Sequence, residues 1–229
     1  MSALASPSAS TLARLRAAVG ALDPGARVGV HGGALGGRLP TGTPALDVWL
    51  RGWPRPGITE LVGAPGSGRL AALIPTLAAV TKGRGHALIL DPGHHAHPPG
   101  WEGVELAQVV VVRPPQERAA WVAEQAARSG ALDMVLVLDA PPLGRAGLRL
   151  ARAADAGSCA VFVVSPSSEA DLPSALRLRA EGWDAEGAVR LRCVRSRDGR
   201  QEGERVFVPG EAAPEPRVAI LRPAVWAAR

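Results

Sequence analysis

Lysine is almost missing from this chain of 229 residues, because Lys82 is the only lysine among 26 basic residues. With abundant alanine, glycine and proline, that imbalance reads as codon bias as much as selection for phosphate binding, so the net charge of +5 carries no argument alone. Cysteine is scarce too. Cys159 and Cys193 each sit in an apolar strand-like run with no zinc-ligand spacing, which excludes a disulfide framework and predicts two buried thiols in a reducing, cytoplasmic compartment. No uninterrupted apolar run approaches the roughly 18 residues that a membrane span needs, so no membrane partner is expected. Acidic residues are absent before Asp23, and Arg14 and Arg16 lie among serines. That composition has the look of a transit peptide, but its helical pattern suits a folded role better.

What is present is apolar content of 47%, enough for one full core with short appendages. The organising stretch runs from Ile58 to Val80. An apolar strand leads into the glycine loop Gly63-Ala-Pro-Gly66-Ser67-Gly68 and then into an apolar segment, Leu70 to Val80, read as a helix with a kink at Pro75. Gly63 and Gly68 have the spacing of the phosphate loop G-x-x-x-x-G-K-[ST], but Arg69 stands at the lysine position and Leu70 at the hydroxyl position. Arginine keeps the charge in a bulkier planar fork, and leucine cannot ligate a metal.

Around this centre, Leu12, Leu15, Val19 and Leu22 fall on one helical stripe behind a cap at Ser10 or Thr11. Such a stripe buries itself either on its own core or on a partner. His94, His95 and His97 lie in a proline-rich loop without carboxylate or cysteine at ligand spacing, so no metal site is expected. Arg190, Arg192, Arg195 and Arg197 belong to an arginine-rich segment alternating with Val189, Leu191 and Cys193, the pattern of a sheet with one buried face. Arg197-Asp-Gly-Arg200 reads as a hairpin turn. This face could attract nucleic acid electrostatically, but no aromatic residue interleaves to stack bases, and a merely solvated face is the simpler reading. The tail from Glu211 carries a short apolar run and Trp226, a candidate anchor for another protein.

The run Thr41, Gly42, Leu46, Asp47, Leu50, Pro54, Gly57, Glu60, Gly63, Ser67 and Gly68 resembles the opening of the RecA recombinase core. The likeness continues through His86 to Asp91, Gly103 to Val112 and Ala127 to Asp139, where Asp139 takes the Walker B position. With its degraded loop, the Asp91-Pro92 strand exit and Pro98-Pro99, the chain resembles the ImuA family, short RecA-like proteins of damage-induced mutagenesis.

The resemblance implies an α/β fold: a RecA-like core over 39–210 with a mainly parallel twisted sheet flanked by helices and antiparallel C-terminal edge strands. An N-terminal helix arm and linker would occupy 1–38, and a tail 211–229. It also implies a non-enzymatic accessory of translesion synthesis. The expected partners are RecA, an ImuB-type Y-family polymerase homologue and, through the complex, an error-prone replicative-type DNA polymerase. RecA's water-orienting glutamate aligns with Gly93, so no catalytic residue is expected. Gly63, Gly66, Ser67, Gly68, Arg69 and Asp139 form a vestigial nucleotide loop that needs no cofactor, although its amides and Arg69 leave room for weak ATP binding. The stretches after Asp139 and Ser165 are too short for RecA's two DNA-gripping loops, so any DNA contact would be weak. The stripe Leu12, Leu15, Val19 and Leu22 would dock on RecA and cap or disassemble filaments, while the region of Trp226 meets the polymerase side. The competing readings are a nucleotide-binding ATPase or switch, and a direct single-stranded DNA-binding repair factor.

Overall fold

A computed structural model describes residues 37–139, 141–197 and 203–211. The stripe Leu12, Leu15, Val19 and Leu22 and the tail residue Trp226 lie outside the described residues.

A small antiparallel ladder, β1 (Arg38–Leu39) with β2 (Trp53–Pro54), brackets helix α1 (Pro44–Leu50). The main sheet contains β3 (Gly57–Val62), β4 (Ala87–Leu90), β5 (Val109–Val112), β6 (Met134–Leu138), β7 (Ala160–Ser165), β8 (Leu176–Trp183), β9 (Val189–Ser196) and β10 (Glu204–Phe207). Their spatial order is β10-β9-β8-β3-β7-β6-β4-β5. The strands from β8 to β5 run parallel, whereas β9 and β10 are antiparallel additions at one edge. Helices α2 (Ile74–Lys82), α3 (Gln116–Arg128) and α4 (Ala146–Gly157) provide the connections.

The central strands are buried on both faces, as a parallel sheet between helices requires. Along β6, Met134, Leu136 and Leu138 join the cluster that includes α1, α2, Trp53 and Phe162. Val135 and Val137 join the opposite cluster, formed with the alanine face of α3 and with Leu150, Ala153 and Ala154 of α4. Trp53 is fully buried and meets Phe162 edge to face at 5.4 Å.

The Thr41-Gly42…Leu46-Asp47 run acquires a structural reason here. Asp47 accepts the Thr41 amide at 2.8 Å, while the Thr41 carbonyl accepts Thr76 Oγ1, which in turn accepts the indole N–H of Trp53. Gly42 has φ +74, and a Cβ there would stand 2.3 Å from the Pro75 carbonyl oxygen. Only glycine lets this turn pack against the start of α2.

The helix expected from Leu70 with a kink at Pro75 does not form. Residues 69–73 make turns, Ala72 donating to Gly68 O and Leu73 to Leu70 O, and α2 begins at Ile74 with Pro75 in its first turn. A helix begun at Leu70 would place the proline ring against the Ala71 carbonyl, whereas in the first turn its missing N–H costs nothing. Cys159 is buried as expected, and burial pushes its thiol up to about 12. Cys193 departs from expectation: it is only half-buried on β9 near the sheet edge.

Candidate functional site: the glycine loop at the end of β3

The loop leaves β3 at Gly63, whose amide donates to Ser165 O of the adjacent β7 at 3.1 Å. Gly68 has φ +89, and a Cβ there would come within 2.8 Å of both methyl groups of Val189. The β8–β9 turn therefore closes tightly over the loop. Trp183, at the end of β8, donates its indole N–H to Gly66 O at 2.8 Å. Ser67 is buried, and its hydroxyl has no partner among the described residues.

A groove of about 410 Å³ runs beside the loop, bordered by Gly66, Arg69, Leu70, His95, Asp139 and Trp183. Its two principal charges face each other. Arg69 Nη2 donates to Asp139 Oδ2 at 2.9 Å, and Nη1 approaches Oδ1 at 2.6 Å as an ion contact without hydrogen-bond alignment. The Arg69 side chain is 7% exposed and that of Asp139 18%, so the pair is largely screened from water. His95 Nδ1 adds a contact to Asp139 Oδ2 at 3.1 Å.

The arrangement has a chemical consequence. In a working loop the residue after the last glycine neutralises phosphate and the Walker B carboxylate serves the metal. Here the cation at that position is spent on the carboxylate, and Leu70 offers no oxygen. The turns between Gly68 and Ile74 also move the N-terminus of α2, with its partial positive charge, away from the loop. No group of three or more candidate metal ligands occurs among the described residues. His94 and His97 do not converge with His95 on one.

Asp91, at the end of β4, is buried but organised for structure. Burial favours its neutral form, yet the amides of His95 and Ala96 and the guanidinium of Arg113 outweigh that and hold its carboxyl below the usual value. It thereby fixes the turn that presents His95 to Asp139.

The expected arginine face is exposed on β9 at Arg190, Arg192 and Arg195, but carboxylates meet it. Arg190 pairs with Glu204 of β10 at 2.8 Å and Arg192 with Glu181 of β8. Arg197 Nη2 donates to Pro173 O at 3.2 Å. Arg195 lies opposite Arg177 in register.

Sequence reasoning grouped Arg69 with Asp139 but missed that they bind each other and that His95, although its side chain is 59% exposed, joins Asp139. It missed Trp183 altogether. That contact spans 117 positions, and no local pattern announces it.

Comparison with known proteins bears on the fold and on about half of the sequence. The described core superimposes on the crystal structure of the RadB recombinase with a TM-score of 0.62 at 18% identity, covering 74% of this chain and 95% of that one. The fold is RecA-like. In sequence, the chain is 36% identical to Protein RecA of Symbiobacterium thermophilum over 104 residues, 43% of this chain and 30% of that protein. It is 34% identical to Protein RecA of Thermus aquaticus over 104 residues, 43% and 31% respectively. It is 33% identical to the chloroplastic DNA repair protein recA homolog 1 of Arabidopsis thaliana over 116 residues, 48% and 26%. The chain thus spans less than a third of the length of these curated relatives. No family model matches it. Among the described residues no helix is long and apolar enough to cross a membrane.

Proposed function

We propose that this chain is a catalytically inert RecA-like regulator, of the ImuA type, in DNA-damage-induced mutagenesis. It acts by contact with RecA and with an ImuB-type polymerase homologue rather than by turnover. The observation that carries the reading is the Arg69–Asp139 pair. A phosphoryl-transfer site works by holding positive charge toward the phosphates and a carboxylate toward the metal, and here each is satisfied by the other. Similarity to RecA over 104 residues supports a role connected with recombination and repair. The degraded loop, the Asp91-Pro92 strand exit and Pro98-Pro99 favour the ImuA assignment within that group.

The mechanism follows from filament geometry. RecA-type filaments grow head to tail through a heterologous interface, and a subunit that keeps one docking face but lacks a nucleotide at the junction terminates growth. The N-terminal stripe Leu12, Leu15, Val19 and Leu22 is the proposed docking element, and the tail with Trp226 the proposed contact toward the polymerase side. A pulldown of the tagged full chain against RecA and an ImuB-type protein, with and without ATP, tests the reading. Capture of both, independent of nucleotide and lost from the RecA arm on Leu15→Asp with Val19→Asp, is the expected result. Capture of neither would overturn it.

A further inference from the structure

Helices α3 and α4 carry a surface unrelated to the groove. Trp121 of α3 is 44% exposed and Leu148 of α4 is 52% exposed. Arg149 Nε donates to Glu124 Oε2 at 3.1 Å, and further along a Cβ at Gly157 would stand 1.9 Å from the Ala127 carbonyl oxygen. Both contacts advance in the same direction along the two helices, so α3 and α4 run parallel with a solvent-facing seam between them. Trp121 stands one turn before Glu124, and Arg145, at the α4 N-cap, one turn before Arg149. The two therefore flank the seam at one level. Arg128 and Arg152 flank it about one turn beyond the Glu124–Arg149 bridge.

The charge of this seam is unbalanced. Glu124 is already gripped by Arg128 at 2.8 Å and by Arg149 at 3.1 Å. Arg118, Arg145 and Arg152 are exposed and have no carboxylate partner among the described residues. The other carboxylates, Glu117 and Asp155, lie toward opposite ends, one in the first turn of α3 and the other near the end of α4. The middle of the face is thus basic and carries an indole and a leucine. Each exposed apolar side chain alone is ordinary. Tryptophan and arginine together, however, are the side chains that dominate the energy of protein contacts. A surface built to track phosphates has no use for Leu148, and Glu117 and Asp155 would oppose a polyanion running past either end.

We propose that the α3–α4 seam is a docking surface for an acidic amphipathic helix of another protein. The ridge of one helix fits the furrow between two parallel ones, and its apolar stripe covers Trp121 and Leu148. Carboxylates flanking that stripe pair with Arg118, Arg145 and Arg152, whose planar guanidinium forks suit them. Glu124 keeps Arg128 and Arg149 in place at the floor and contributes no free charge to repel the incoming acid. This surface is separate from the N-terminal stripe and the tail named above, and it stands on the composition of the seam, not on the inertness of the glycine loop.

Fluorescence anisotropy with the full chain tests it. The probe is a labelled helical peptide of about 18 residues with leucine at i, i+3 and i+7 and glutamate on its flanks; its counterpart carries lysine in place of every glutamate. The acidic peptide should bind, less tightly as salt rises, and the lysine peptide should not. Trp121→Ala should weaken binding about tenfold or more, and so should Arg145→Glu with Arg152→Glu. The same charge change at Arg51 and Arg84, exposed arginines outside the seam, should alter it by less than about twofold. Denaturant unfolding in parallel checks that each variant folds; should Trp121→Ala fail, Leu148→Ser carries the same direction of effect. Equal binding of the two peptides, no binding of the acidic one, or binding indifferent to both seam variants would overturn the proposal. So would an oligothymidylate that binds in the same assay and is lost in the seam variants while the acidic peptide does not bind, because the surface would then read phosphate.

Discussion

Two arginine–carboxylate pairs of identical chemistry divide this molecule. Arg69–Asp139 lies in the groove with side-chain exposures of 7% and 18%, whereas Arg190–Glu204 lies on the β9–β10 hairpin with exposures of 46% and 50%. In the groove, water is largely excluded, so each charge needs the other and the pair resists any ligand that would use one of them alone. On the hairpin, water solvates both groups and the pair contributes little energy. It still has an electrostatic effect, because each carboxylate lowers the positive potential that an arginine-rich strand would otherwise present to nucleic acid. Burial, not residue type, decides that the first pair closes a site and the second only mutes a surface.

The comparison sharpens at its buried extreme. Glu60 and Arg177 are more enclosed than either pair above, with side-chain exposures of 0% and 10%. Arg177→Ala strands a charge inside the sheet and is expected to cost about 3 to 5 kcal/mol in denaturant unfolding. A cost near that of a surface pair would break the burial argument. Arg69→Ala should come next, at about 2 kcal/mol, because Asp139 retains His95 and some solvent. Adding Asp139→Asn should recover part of that loss, since it removes the unpaired charge.

Asp91 extends the comparison to acid. Its folded value lies below 3.8, so its contribution is present above that pH and is lost as pH falls through the folded value. Asp91→Asn should therefore flatten the acid limb of a stability curve below about pH 4. A curve that keeps its full slope would show that other carboxylates carry it.

The smallest stability effect is expected on the hairpin, where Arg190→Gln should change unfolding by about 0.5 kcal/mol or less. The same region offers a test of its electrostatic role. Glu181→Gln with Glu204→Gln should strengthen binding of single-stranded DNA at low salt and steepen its salt dependence. Unchanged DNA binding would mean that the strand face is silent toward phosphate.

Much of this architecture was legible because the central parallel strands are buried on both faces and so read as continuous apolar runs. Ala87–Leu90, Met134–Leu138 and Ala160–Ser165 announce themselves in this way, and Val109–Val112 is an equally unbroken apolar run although, at the sheet edge, it is only half-buried. The antiparallel edge likewise matched the alternation at Val189 to Arg192. Strand β8 was not legible, because Arg177 and Arg179 interrupt its apolar residues; Arg177 is buried only because Glu60 awaits it across the sheet. In the groove, the spacing of Gly63, Gly68 and Arg69 located the loop. The partnership of Arg69 with Asp139 could not be read, since it spans 70 positions and depends on how β3 and β6 flank β7.

The most direct test of the central claim is the rate of ATP hydrolysis by the purified full chain as a function of Mg²⁺. The account predicts no Mg²⁺-dependent turnover, because the cation and the carboxylate of the groove are committed to each other. Metal-dependent turnover that disappears on Asp139→Asn would contradict it.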